Sequence, residues 1–187
     1  PPSAPAARAV KKTPVKAVSR RTADEEFILN FFLGLALIAI SMIAFAQAYR
    51  AGFIWDDDQL LTANPQVHAG NGWWTLWLKP ITADYFPLTS ITLWIQWHLA
   101  SLFTAAPVLS GTPYHTANII FHAITVVLTW QVLKRLRIPG AWFIAAIFAV
   151  HPICVESVAW ISERKNTVSQ IFLLISVICY VRYQERG

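Results

Sequence analysis

Asp56, Asp57 and Asp58 stand side by side directly after Trp55, a few residues beyond a long apolar run. Three adjacent carboxylates repel one another unless a cation, a bound acceptor group or raised pKa values relieve them. Local sequence leaves three readings open: a solvated acidic turn capping a short helix, a catalytic base, and a metal site. A second polar group comprises His151, Pro152, Glu156, Glu163, Arg164, Lys165 and Asn166, gathered around Trp160. If the segment after Pro152 is helical, Glu156 and Arg164 lie about two turns apart and share a face with Trp160 between them. That face could hold an anionic group against the arginine. The competing reading is interfacial snorkelling by Arg164 and Lys165, with Glu163 as partner. A third set is His115, Asn118 and His122, which at 100° per residue fall within about 60° of one another as one polar stripe. Inside an apolar helix such a stripe faces the bundle interior and bonds another helix, with substrate contact as the alternative.

The elements that must position these groups are membrane helices. Of 187 residues, 56% are hydrophobic and only 13% charged, too apolar for a soluble domain of this length. The net charge of +5 does not point to nucleic acid, because the cations sit beside apolar runs rather than on a folded basic face. Cys154 and Cys179 have no metal-ligand spacing and predict neither a disulfide nor a zinc site. Residues 1–26 read as a disordered, basic, Pro/Ala-rich cytoplasmic tail, and the chain as an N-terminal fragment. Four spans are expected, at about 27–49, 114–133, 141–155 and 167–183, with Pro152 ending or bending the third. The first, at 1.5 Å per residue, reaches roughly 34 Å, enough for a hydrocarbon core of about 30 Å.

The positive-inside rule then decides the ambiguous run 86–103, which carries Gln96 and His98. Read as interfacial rather than spanning, it leaves Lys134, Arg135 and Arg137 on the cytoplasmic side with the basic tail, Arg182 and Arg186. Arg50, Lys79, Arg164 and Lys165 remain outside. The outer loops are about 50–113 and 151–166, the first rich in tryptophans suited to headgroup depth. The expected fold is an all-α polytopic membrane bundle with interfacial helices in its long first outer loop. Two cations in the second outer loop run against the topology bias, which tips Arg164 and Lys165 toward binding phosphate.

Taken in order, Trp55-Asp56-Asp57-Asp58 with Asn64-Pro65, Tyr85-Phe86-Pro87-Leu88-Thr89, Tyr114-His115 with Asn118 and His122, and His151-Pro152 with Glu156-Ser157-Val158 and Arg164 resemble the transmembrane and tetratricopeptide-repeat (TMTC-like) protein O-mannosyltransferase family. These are membrane glycosyltransferases of the GT-C class. The resemblance covers residues 52–183 and implies a GT-C-like fold. It also implies transfer of a sugar, typically mannose, from a polyprenyl-phosphate carrier to protein Ser or Thr hydroxyls on the non-cytoplasmic face. Tetratricopeptide repeats are implied after the membrane region. The family's acidic pair maps to Asp56 and Asp57, and its second-loop residues to His151, Pro152, Glu156 and Arg164. Phe86 stands where many members have an arginine, and Lys165-Asn166 replaces an Ala-Asp pair common in animal members. The missing acid at Asn166 weakens a metal-dependent scheme, so a divalent metal is the less favoured option and no cofactor beyond the lipid-linked donor is expected.

The mechanism that follows assigns the base to Asp57, with Asp56 next, and the orienting of arginine or acceptor to Glu156. Arg164, Lys165 and His151 form the donor phosphate site, and direct displacement inverts the sugar carbon. The partners are the bilayer, the lipid-linked sugar and an acceptor protein. The membrane is the inner membrane in a bacterium or the endoplasmic reticulum in a eukaryote. The rival reading is a non-catalytic scaffold or transporter portion whose charged loops pair across the outer face.

Overall fold

A computed structural model describes residues 22–79, 85–103 and 110–186, and among these every regular element is helical. Helix α1 spans Ala23–Ala44, α2 Pro65–His68, α3 Gly72–Leu78, α4 Pro87–Phe103, α5 Thr112–Arg135, α6 Ala141–Ala149, α7 Val155–Ala159 and α8 Arg164–Arg186. Three of them, α1, α5 and α8, are long and apolar enough to cross a membrane, and the bent pair made by α6 and the segment Pro152–Ala159 is a fourth candidate. The molecule is an all-α membrane bundle, with the short α2 and α3 and the longer α4 between the first span and α5.

Caps set the span ends at places hydrophobicity does not mark. Helix α1 begins at Ala23 rather than Phe27: the Thr22 hydroxyl accepts from Glu25 N, Glu25 reaches back to Thr22 N, and Asp24, Glu25 and Glu26 fill the positive first turn. The expected tail of residues 1–26 therefore ends earlier, and residues 1–21 lie outside the described residues. At its other end α1 stops at Ala44, not Tyr49. The chain tightens into a 3-10 turn, Ala46–Arg50, which buries Phe45 and Ala48 against Ile119, Cys154 and Val158. Helix α6 is nine residues long and ends at Val150, where Pro152 removes a backbone donor; the segment after the break departs by 52°. Its freed Ala149 carbonyl is 3.1 Å from His122 Nε2 of α5.

Packing centres on α5. Leu37 of α1, Val126 and Trp130 of α5 and the alanine edge of α6 (Ala141, Ala145, Ala149) form one buried cluster, the small alanines allowing close approach of backbones. Trp142 Nε1 donates to the Leu33 carbonyl at 3.0 Å, a further tie from α6 to α1. A third cluster, Leu61, Val67, Leu93, Tyr114 and Ile161, sits under the polar groups and fixes α2, α4, α5 and the turn before α8 to one another. Outward faces remain apolar, as at Phe27, Phe32, Ile43, Phe143 and Leu173, which suits a hydrocarbon solvent.

The first-loop helices are held by close contact and local caps. Asn64 Oδ1 accepts from Gln66 N and Val67 N, and Pro65 occupies the first helical position of α2. Gly72 opens α3 directly against the Gln66 carbonyl and the Trp94 ring, where a Cβ would overlap both. Trp94 Nε1 then donates to the Ala69 carbonyl at 2.8 Å, locking α4 onto this corner.

Candidate active site

The polar groups converge at the end of the bundle where α5 and α8 begin. Trp55 has φ 46°, a left-handed conformation costly for a bulky residue, and its ring stands edge-on to Trp160 at 5.1 Å while remaining 77% exposed. This turn sends the three carboxylates to different environments. Asp56 is exposed. Asp58 accepts from the Thr62 hydroxyl at 2.6 Å. Asp57 is fully buried: Oδ1 accepts from Ser162 N (2.9 Å) and Ser162 Oγ (2.6 Å), and Oδ2 accepts from Ile54 N (2.9 Å). Asp57, expected as the base, thus has both oxygens engaged and staples the first outer loop to the turn before α8.

Arg164 is also fully buried, as the first residue of α8. Its Nε donates to Asn118 Oδ1 at 2.7 Å, one terminal nitrogen to the Tyr114 carbonyl at 3.0 Å and the other to Thr92 Oγ1 at 3.3 Å, with Phe121 stacked 5.6 Å from the guanidinium. One side chain therefore joins α4, α5 and α8. Its partners are all neutral, and among the described residues the ion pairs are Lys165–Glu163 at 2.8 Å and Arg135–Glu185 at 3.4 Å. The expectation that Glu156 and Arg164 share a helical face fails. Helix α7 ends at Ala159, Trp160 turns the chain, and a new helix starts at Arg164, so Glu156 is exposed while Arg164 points inward. His151 is exposed as well, its Nδ1 accepting from Ile153 N as a cap of the turn after the break.

His115, Asn118 and His122 are all buried, and each reaches a different segment. His115 Nε2 lies 3.3 Å from the Gly52 carbonyl of the first loop, and Asn118 Nδ2 donates to the Trp160 carbonyl at 2.9 Å. His122 takes the Ala149 carbonyl already described. Lys165 faces another way: its ammonium pairs with Glu163 and lies 5.1 Å from the Phe86 ring. There it borders an apolar groove of about 250 Å³ walled by Trp77 of α3, Tyr85, Phe86 and Leu88 at the start of α4, and Val168 of α8. The Tyr85 hydroxyl donates to the Trp77 carbonyl, closing one side.

Sequence reasoning missed Ser162, whose backbone and hydroxyl hold Asp57, and the line of contacts that runs on from the Lys165–Glu163 pair through Asn166 to Ser157. In that line Glu163 Oε2 accepts from Asn166 Nδ2 at 2.7 Å, and the same amide donates to Ser157 Oγ at 3.1 Å. The three-residue spacing of Glu163 and Asn166 across a turn was the available signal. Among the described residues no three His, Cys, Asp or Glu side chains come together at one point.

These features define a polytopic membrane protein with a buried polar knot and a cation-edged apolar groove at one end. Several curated proteins similar to it over most of its length share one name. It is 28% identical over 166 residues to a protein O-mannosyl-transferase of Caenorhabditis elegans, a match covering 81% of this chain and 23% of that protein. It is 29% identical over 177 residues to human protein O-mannosyl-transferase TMTC4 (81% and 23%) and 28% identical over 157 residues to human TMTC3 (78% and 16%). The chain's curated homologues are thus TMTC-family protein O-mannosyl-transferases, of whose lengths it spans a quarter or less. No family model and no solved structure matches it.

Proposed function

We propose that this chain is part of a membrane mannosyltransferase that moves mannose from a polyisoprenyl phosphate to Ser or Thr hydroxyls of a protein on the non-cytoplasmic side. The observation that carries the reading is the groove between α3, α4 and α8, whose aromatic and aliphatic walls meet a single charged lining residue, Lys165. A lipid phosphate has the matching make-up, a long apolar tail ending in one anionic group. The homologues' names supply the sugar and the kind of acceptor.

A hydroxyl is a poor nucleophile near neutral pH, and a carboxylate that takes its proton during attack contributes about 10²- to 10⁴-fold. We assign that role to Asp56, which is exposed beside Asp57. Asp57, held by Ser162 and Ile54, positions it. The acceptor oxygen bonds to the anomeric carbon as the bond from that carbon to the phosphate oxygen breaks. The phosphate leaves with the electron pair, Lys165 offsets its charge, and Asp56 holds the proton. Configuration at the sugar carbon inverts. Arg164 is a positioning residue that fixes the frame of α4, α5 and α8, and Glu156, exposed on α7, orients the acceptor.

Transfer from labelled polyisoprenyl-phosphate-mannose to protein, by the intact membrane enzyme, tests this. Asp56→Asn should lower turnover by about 10²-fold or more without changing thermal melting. Full activity of that variant, or a product with retained configuration, would overturn the mechanism. No transfer by the parent from a panel of lipid-linked sugars would move the assignment to the scaffold reading.

A further inference from the structure

We infer that a second cavity, of about 350 Å³ on the other side of the start of α8, is the subsite for a neutral hexose, the sugar carried by the donor. The inference rests on the lipid-phosphate reading for the donor's identity, but the chemistry of the cavity stands alone. It lies where the α6 helix breaks, between α5, the bend and α8, and its polar lining is His122, whose Nε2 is taken by the Ala149 carbonyl, with Ser157, Asn166, Thr167, Ser169 and Gln170, and Phe148 as an aromatic wall. None of its lining residues is Asp, Glu, Lys or Arg. An anion would therefore find no cation there, and a cation no carboxylate.

Three of these groups have already committed their hydrogens. Thr167 Oγ1 donates to the Arg164 carbonyl at 3.0 Å and Ser169 Oγ to the Asn166 carbonyl at 3.0 Å, while both hydrogens of the Asn166 amide go to Ser157 and Glu163. These three have oxygen lone pairs left to offer, while the Ser157 hydroxyl and the Gln170 amide can also donate. A wall of several acceptors and a few donors beside an aromatic ring suits a ligand rich in hydroxyls, which both donate and accept, with an apolar face, which is a sugar. Gln170 and Ser169 are exposed polar residues on a helix that crosses the membrane, and such groups face a cavity rather than lipid.

The cavity also lies in the right place. Ser169 lines both it and the Lys165 groove, and the contacts Lys165 to Glu163 to Asn166 to Ser157 run from one to the other. A phosphate at Lys165 would have its sugar beside this wall. Glu163, bonded to both the cation and the amide, sets the relative placement of the two halves of the donor.

The test uses two probes on the protein in lipid nanodiscs, a polyisoprenyl phosphate and the same lipid carrying mannose, with binding read by tryptophan quenching. Mannose should tighten binding about tenfold or more, the worth of one or two net hydrogen bonds. Ser157→Ala with Gln170→Ala should erase that gain and leave the bare phosphate's affinity unchanged, which also reports that the variant is folded. A gain that survives the double variant, or no gain in the parent, overturns the subsite. Failure of both lipids to bind would remove the donor reading, and the cavity is then judged through a cysteine at Ile153, an exposed position that lines it. In a Cys154→Ala, Cys179→Ala background, methyl α-mannoside should slow methanethiosulfonate labelling of Ile153→Cys, with glycerol as control. Equal labelling with and without the mannoside overturns the subsite independently of any lipid.

Discussion

Asp57 and Arg164 are charged, fully buried, and bonded to neutral partners rather than to each other. A buried charge is tolerated when its polar atoms are hydrogen-bonded, and here each carboxylate oxygen and each guanidinium nitrogen has at least one partner. The guanidinium suits Arg164 because three separate nitrogens reach three acceptors on two helices. Arg164→Lys, with one flexible ammonium, should therefore destabilise the protein by about 2–3 kcal/mol, seen as a lower melting temperature in detergent, although the charge is kept. Unchanged melting would mean that charge alone, not the fork, holds the knot. The residue types of this knot were legible in the sequence, but their partners were not. His115, Asn118, His122 and Arg164 reach backbone carbonyls of Gly52, Trp160, Ala149 and Tyr114, and a carbonyl carries no sequence signal. Ser162 was equally silent, an ordinary serine until the fold brings Asp57 to it.

Elements were read well where a local rule governs them and poorly where tertiary packing does. Pro152 breaks a helix by a rule that acts within a few residues, and the Asn64-Pro65 start of α2 obeys another that the sequence reading left unused. The start of α1 was misjudged because hydrophobicity marks apolar residues, whereas the helix is launched by the Thr22 and Glu25 capping box. The stop at Ala44 and the turn at Trp160 depend on what Phe45 and Trp160 touch across the bundle, which no window of sequence contains. Packing also explains Gly72. A methyl group there would collide with the Gln66 carbonyl and the Trp94 ring, so the α3–α4 corner must open to admit it. Gly72→Ala should cost about 1–3 kcal/mol despite alanine's better helix propensity, and a melting curve shifted upward instead would show that the corner yields freely.

At the scale of the molecule the two ends differ in kind. Lys134 Nζ donates to Asn30 Oδ1 at 2.7 Å and Arg135 pairs with Glu185, so the start of α1 and the ends of α5 and α8 meet at a basic end. The opposite end carries Asp57, Ser162, Arg164 and the two cavities. Sequence charge alone placed the basic end in the cytoplasm, since apolar length gives the spans and Lys/Arg bias gives their direction. In a cysteine-free background, Gln59→Cys should react with an impermeant maleimide in sealed, outside-out membranes and Arg137→Cys only after permeabilisation. The reverse pattern would invert the topology and put the site in the cytoplasm.

The shortness of α6 has a consequence for how the chain enters a membrane as it is made. Nine helical residues rise only about 13 Å, less than half of a hydrocarbon core, so this segment cannot be recognised as a span alone. It must go in as the second arm of a hairpin with α5, folded at the tight turn around Gly140, whose φ of +74° reverses the chain. The nascent protein therefore has to hold α5 beside the insertion machinery until the alanine edge of α6 has docked. On that order the loop bearing Ser162 and Arg164 meets Asp57 after α5 and α6 have packed, and the polar knot is the last part of the bundle to close.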